Sequence, residues 1–333
     1  MKISNLQLLR AFAALNVVFF HIIGTSKAYG FGVVSLSFLE GWGGNGVDIF
    51  FVISGFIMVY IQNLKGRTPQ EFAVDRIVRI VPVYWLLTIL VIVSFFILPS
   101  SSLNSTSPGI SELISSLLFI HQPMYESTPI LFVGWTLEYE MMFYMIFAAS
   151  ILIKKRIYSY ILVLIALAVS HLYFEANPIV YEFFFGMLLG YFHLFYKARN
   201  DVGICALSLG VIGLTLPLFS NVLSFVDNRV IYSGIPSLLI VFGAIYSKQF
   251  NNSVMAILGN ASYSIYLIQV FTIPIFYKAL TLINIGEIDT DMLAFLCLAF
   301  TSIAGVVCYW LFEKPVSFYF KKKFNAKNFA PAI

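Results

Sequence analysis

Charge is what this chain has little of. Asp, Glu, Lys and Arg make up 11% of its 333 residues, against about a quarter in an average globular protein. A water-soluble domain of this length needs far more polar surface, so soluble enzymes and soluble binding modules are excluded. The net charge is only +4, and the basic residues fall between apolar segments, not along a stripe, so no nucleic-acid partner is expected. Cysteine is scarce as well. Cys205, Cys297 and Cys308 all lie in apolar runs without CxxC or metal spacing, which reads as three packed thiols and no redox or metal role. There is no P-loop, HExxH, GxSxG or Cys/His cluster, no internal repeat and no low-complexity tract. No metal site and no permanently bound cofactor is expected.

Apolar sequence is what is there: 60% of the residues are hydrophobic and mean hydropathy is +0.89. Hydropathy predicts an all-α, polytopic membrane bundle of about ten transmembrane helices. The candidate spans are 7–24, 43–62, 78–98, 130–152, 157–173, 179–196, 202–219, 230–246, 258–280 and 291–312. Segment 111–121 is too short to span and reads as interfacial or re-entrant. The first apolar run is interrupted by Arg10 and followed by no small-residue cleavage pattern, so it reads as a retained span rather than a signal peptide. Placing both termini in the cytoplasm puts 17 of the 20 basic residues inside and leaves only Lys27, Arg229 and Lys278 outside. The outer loop 99–129 contains no Lys or Arg. Residues 1–333 read as one transmembrane domain ending in a short basic tail, 314–333, whose lysines would meet anionic lipid head groups.

Ionisable residues inside such spans are expensive and mark function. Arg10 and His21 lie eleven positions apart in the first span. That is about three helical turns, so both project from nearly one face, roughly 16 Å apart along the axis. His21 falls near mid-depth, where an imidazole can take and return a proton. Arg76 and Arg79 share a face at the cytoplasmic start of the third span. With Arg10 at a similar depth, two further guanidiniums could hold a polyanion such as the phosphates of a nucleotide-like molecule. In the fourth span (GWTLEYEMMFY), Glu140 and Tyr144 are four apart on one face, and Glu140, deeper than Glu138, needs a partner, for which His21 is the candidate. Glu138 is expected to reach water more easily. Gly43, Gly44 and Gly46 permit close helix approach before an interfacial Asp48. His121, His171 and His193 read as interfacial, Glu182 and Glu313 as helix-end carboxylates, and residues 153–257 as scaffold.

Six stretches match one family in order from end to end: LLRAFAALNVVFFH, GVDIFFVISGF, RIVRIVPVYW, WTLEYEMMFY, LGNASYSIYLIQ and FEKP. The chain resembles the acyltransferase 3 family of integral membrane acyltransferases, in particular the exopolysaccharide and O-antigen acetylases. The resemblance implies an O-acetyltransferase of the bacterial inner membrane. It would move an acyl group from cytoplasmic acetyl-CoA, or another acyl-CoA, to a hydroxyl of a cell-surface polysaccharide or its lipid-linked precursor. It makes His21 the catalytic residue with Arg10 its motif partner, Glu140 the motif glutamate, and Arg10, Arg76 and Arg79 the donor-holding residues. Trp135, Glu138, Tyr144 and Asp48 become candidates for the acceptor side. Relatives often carry His where Gln269 stands. Gln can donate and accept a hydrogen bond but cannot titrate, so Gln269 takes no proton-transfer role.

Two other classes fit parts of the pattern. Arg10, His21 and Glu140 could form the relay of a proton-coupled transporter or polysaccharide exporter, though the repeat symmetry common in transporters is absent from the sequence. A non-catalytic membrane partner of a polysaccharide assembly complex is the third reading.

Overall fold

The computed structural model describes residues 3–97, 108–219, 229–283 and 289–328, with side chains to residue 324. It is 85% helical, with no strand among the described residues. Lys2, the side chain of Lys327, residues 99–107 of the outer loop and residues 329–333 of the tail lie outside them. The helices are α1 (Ser4–Ala28), α2 (Asn45–Lys65), α3 (Pro69–Ile97), α4 (Ile110–Leu117), α5 (His121–Tyr125), α6 (Trp135–Ser150), α7 (Arg156–Phe174), α8 (Tyr181–Phe195), α9 (Asn200–Phe219), α10 (Ile235–Tyr246), α11 (Ser253–Asn260), α12 (Ser262–Ile283), α13 (Thr290–Cys308) and α14 (Lys314–Asn328). Eight stretches among the described residues are long and apolar enough to cross a membrane. The expected spans at 130–152 and 230–246 correspond to the shorter α6 and to Val230–Tyr246. The chain is a multi-pass membrane protein.

Three boundaries differ from the hydropathy reading. The third helix starts nine residues early, because Thr68-Pro69-Gln70-Glu71 is a helix start. The Thr68 N–H donates to Glu71 Oε2 at 2.9 Å and the Glu71 N–H to Thr68 Oγ1 at 3.3 Å, with Pro69 at the first helical position. Arg76 and Arg79 are therefore inside α3. The span expected over 258–280 breaks at Ala261 into α11 and α12. The basic tail is helical, since α13 runs through a π-helical turn, Tyr309–Glu313, into α14.

The chain divides into two compact units, residues 1–66 with 155–306, and residues 67–154 with 307–333. In the first, α2 and α8 make the closest pair. A Cβ on Gly55 would sit 1.9 Å from the Phe183 carbonyl oxygen, and one on Gly186 2.0 Å from that of Val52. Gly186 and Gly190 form a GxxxG ridge that lets the two backbones touch, and Phe51 stacks on Phe183 at 4.2 Å beside them. Helix α1 packs on α2, α11 and α12, where Gly46 rests on the Ala13 carbonyl and Gly259 on that of Gln7. Asn5 is buried at the start of α1. Its Nδ2 donates to the carbonyls of Ala244 and Lys248, both at 3.0 Å, and its Oδ1 accepts from the Phe250 N–H, which ties α1 to the end of α10. In the second unit α3 packs on α6, α14 and α4. Tyr84 and Trp85 fasten α4 by donating to the carbonyls of Ser116 (3.1 Å) and Leu117 (2.9 Å), which are groups the end of a helix leaves unpaired.

Candidate functional site

The sequence-nominated residues divide between the units. Arg10, His21 and Asp48 belong to the first, and Arg76, Arg79, Trp135, Glu138, Glu140 and Tyr144 to the second.

In the first unit, Arg10 is 9% exposed and its Nη2 donates to Ser262 Oγ at 2.9 Å. Ser262 is the first residue of α12, so the break at Ala261 brings the start of that helix to Arg10. Helices α1 and α12 run in the same direction. Arg10 meets Ser262 at one end and the Tyr29 ring stacks on Tyr277 at the other. His21 lies between these levels, half-buried, with the Phe20 ring edge-on at 4.9 Å. Gln269, also between them on α12, is buried. Its Nε2 donates to the Tyr266 carbonyl at 2.7 Å, and its Oε1 has no hydrogen-bond partner among the described residues. Arg10 therefore meets the LGNASYSIYLIQ stretch at Ser262.

Asp48 is not at a wet interface. It is fully buried, and Arg229 grips it with Nε at 3.1 Å and Nη2 at 2.6 Å, while the same Nη2 reaches the Gly44 carbonyl at 3.4 Å. Glu182 is no exposed helix-end carboxylate either. It is fully buried beside Gly234 and within hydrogen-bonding reach of Asp48. Ser233 donates to Asn45 at 2.8 Å in the same region. The stretch read as scaffold thus supplies Arg229 and Glu182 around Asp48. The GxxxG of α8 was the available signal, since close approach of α8 to α2 is what allows this. Cys205, expected to be packed, is exposed on α9, whereas Cys297 is buried.

In the second unit, Arg76 is buried with its guanidinium 5.9 Å from the Phe72 ring centre and 5.8 Å from that of Tyr144. Its Nε and Nη1 have no hydrogen-bond partner among the described residues. Arg79, one turn on, and Lys321 of α14 lie within electrostatic reach of it, as does the Arg67–Asp75 ion pair. Arg67, Arg76, Arg79 and Asp75 thus all lie within electrostatic reach of Lys321. Lys321 was counted in the sequence as a tail lysine. The signal for its place was Lys321–Lys323 continuing the helix of the FEKP motif.

Tyr144 donates a short hydrogen bond to Glu140, one turn away as the spacing predicts, so Glu140, Tyr144 and Arg76 form a connected row. Glu138 reverses the expectation of water access. It is 4% exposed and accepts the backbone N–H groups of His121 (3.1 Å) and Gln122 (2.9 Å). These are the first residues of α5, so a carboxylate from the first turn of α6 caps a neighbouring helix. Trp135 opens α6 with its ring edge-on to Tyr139 at 6.1 Å. Gly134 before it presses on Tyr84, where an added Cβ would lie 2.6 Å from the ring. Among the described residues no group of His, Cys, Asp and Glu is arranged to hold a metal ion.

These geometries hold a half-buried histidine and a cluster of cations, and sequence comparison places them among known proteins. The family model described as "Acyltransferase domain" matches residues 3–311. The exopolysaccharide production protein ExoZ of Rhizobium meliloti (strain 1021) is 32% identical over 308 residues, covering 82% of this chain and 89% of that protein. No solved structure matches significantly.

Proposed function

The chain belongs to the acyltransferase 3 family, and on that premise we propose that it is an O-acetyltransferase of the bacterial inner membrane. It takes the acyl group of cytoplasmic acetyl-CoA and delivers it to a hydroxyl of an exopolysaccharide or its lipid-linked precursor. The observation that carries the donor side is Arg76. A buried guanidinium with two donor nitrogens lacking protein partners is costly unless an anion completes it. Arg79 and Lys321 concentrate further positive charge there, which suits the phosphates of coenzyme A. A relative named for exopolysaccharide production supports a carbohydrate acceptor.

His21 is the group on α1 that carries a proton-accepting nitrogen. It takes the proton of the attacking hydroxyl as the oxygen adds to the thioester carbonyl, and returns it to the departing thiolate. Taking the acyl group first on the imidazole nitrogen gives the same products in two steps. Arg10 fixes α1 against α12 through Ser262, and Glu140, the acidic member of the Trp-Thr-Leu motif, holds the Tyr144 hydroxyl. Trp135 and Tyr144 offer aromatic and hydroxyl contacts to the sugar.

His21→Ala, expressed at the normal level, should lower acetyl on the surface polysaccharide by a factor of about 10² to 10⁴, the usual contribution of a positioned acid–base group. Quantitative NMR of the purified glycan measures it. Undiminished acetylation would refute the assignment.

A further inference from the structure

The first unit holds a small polar cavity of about 140 Å³ where the start of α1 meets the start of α11. Ser4 and Gln7 of α1 line it, with Phe250, Asn251, Asn252 and Ser253 at the entry to α11. None of the residues lining it is ionisable. It is therefore not built for a phosphate or an anionic lipid head group, which call for a cation. A site that encloses a whole drug-sized ligand measures roughly 300–1,000 Å³. This one suits a single uncharged end of a longer molecule.

Gln7 sets what that end must offer. Its Oε1 is shut away from solvent and has no hydrogen-bond partner among the described residues. Turning the amide over would put a buried NH2 in the same place, so a partner is needed in either orientation. The residue is held where it is, because Gly259 of α11 rests on its carbonyl. Asn252 Oδ1 accepts the Met255 N–H at 3.0 Å, which leaves its NH2 to donate. Phe250 supplies a different contact. It is 59% exposed within the polar run KQFNNS, and its N–H donates to Asn5 Oδ1 at 2.9 Å, which fixes its backbone. A planar group with a donor and an acceptor on one edge, and a π-face for the ring, satisfies all of these. Adenine is such a group: a carboxamide pairs through both its atoms with the exocyclic amine and the neighbouring ring nitrogen, and aromatic side chains stack on the face.

The geometry points to this cavity as the seat of the adenine of the acyl-CoA donor. Gln7 and Arg10 are three positions apart and share a face of α1. The base then lies one turn from a guanidinium expected to hold that donor. Helix α11 opens at the cavity and ends just before Ser262, to which Arg10 donates. Gln7 pairs with the purine edge, Asn252 adds a donor, and the Phe250 ring covers the purine face. The identity of the ligand rests on the proposed acyl-CoA donor, whereas the uncharged character of the site is read from its own residues.

The test is calorimetry on the full-length protein in detergent with three ligands. They are coenzyme A, ethenocoenzyme A, whose extra ring ties up the exocyclic amine, and 4′-phosphopantetheine, which has no base. The wild type should bind coenzyme A roughly fivefold or more tighter than the etheno analogue, the lower bound for a bidentate base contact. Gln7→Leu should erase that preference, and it removes the unpartnered buried group, so the fold is kept. Phe250→Ala, at an exposed position, should weaken both coenzymes alike, again by roughly fivefold or more. Neither variant should change binding of 4′-phosphopantetheine. Equal affinity of the wild type for the two coenzymes, a preference that survives Gln7→Leu, or an equal loss for 4′-phosphopantetheine overturns the adenine site and leaves the donor assignment standing. A wild type that binds no coenzyme A ends the donor assignment itself. Photolysis of 8-azidoadenosine on the same protein then decides the cavity alone: label on peptides lining it, lost in Phe250→Ala, keeps a purine site, and absence of label removes it.

Discussion

Each of the two units sets an arginine against its buried interior, and the two are treated in opposite ways. In the first, Arg229 spends its fork on Asp48 in a two-point grip with a third contact to Gly44. In the second, Arg76 has Nε and Nη1 without partners among the described residues, and its guanidinium lies about 6 Å from two aromatic ring centres, 5.9 Å for Phe72 and 5.8 Å for Tyr144. Burying a charge is costly in either case. A charge that meets its counterion inside the protein is architecture. One with donors unsatisfied among the described residues, with Arg79 and Lys321 added beside it, is what the proposed function reads as a place for an anion from outside.

The contrast breaks first at Arg229. Arg229→Leu leaves Asp48 fully buried and unpaired, next to the equally buried Glu182. Breaking a buried pair costs about 3–5 kcal/mol. The lower end, about 3 kcal/mol, is expected here because the Arg229 side chain is 30% exposed. Thermal unfolding in detergent should show it as a large drop in midpoint, and Asp48→Asn combined with Arg229→Leu should recover part of it. An unaltered midpoint in the single variant would mean that the pair is not structural.

Arg76 should behave in the reverse sense. Arg76→Leu removes an uncompensated charge, so the protein without donor should be as stable as before, or more stable. Donor binding should weaken by roughly 10- to 100-fold, the equivalent of about 1.5–3 kcal/mol for a lost charged hydrogen bond. Calorimetry with coenzyme A and a thermal scan measure the two effects on one sample. Loss of stability with no change in affinity would erase the distinction between the two arginines.

Why only part of this was legible in the sequence follows from the same residues. Helices and their order are local properties, and the apolar runs give them. The Glu140–Tyr144 pair is also local, and it lies as the helical period predicts. Asp48 is different. Its partner stands 181 positions away, in a stretch with no motif, and the only hint was the Gly186–Gly190 ridge that lets α8 approach α2. Glu138 fails for a related reason. A carboxylate in the first turn of a helix looks solvent-facing until another helix start lies over it, and sequence does not say that α5 does. The early start of α3 and the helical tail were legible, in TPQE and in the run past FEKP, but hydropathy alone overrides such signals.

A smaller effect tests the clamp on the second unit. Glu138→Gln keeps one acceptor oxygen but turns an NH2 toward one of the two N–H groups of α5. The variant should lose about 1–2 kcal/mol of local stability, within the cost of an unsatisfied buried donor. Amide hydrogen exchange at His121 and Gln122 should accelerate by roughly tenfold, while amides of the first unit stay unchanged. Acceleration spread over the whole chain would show that the clamp is not local.

The smallest expected effect comes from Lys321, and it separates the two possible uses of the basic tail. Lys321 sits on the arginine cluster but is exposed to solvent, so its contribution is screened. Lys321→Ala should weaken coenzyme A binding about two- to threefold at low salt and hardly at all near 1 M salt. With dephospho-coenzyme A, one phosphate shorter, the loss should be smaller still. Lys322→Ala and Lys323→Ala, on other faces of the same helix, should leave donor binding alone. If all three substitutions act alike, and only on association with anionic lipid vesicles, the tail serves the membrane surface and the donor site ends at Arg79.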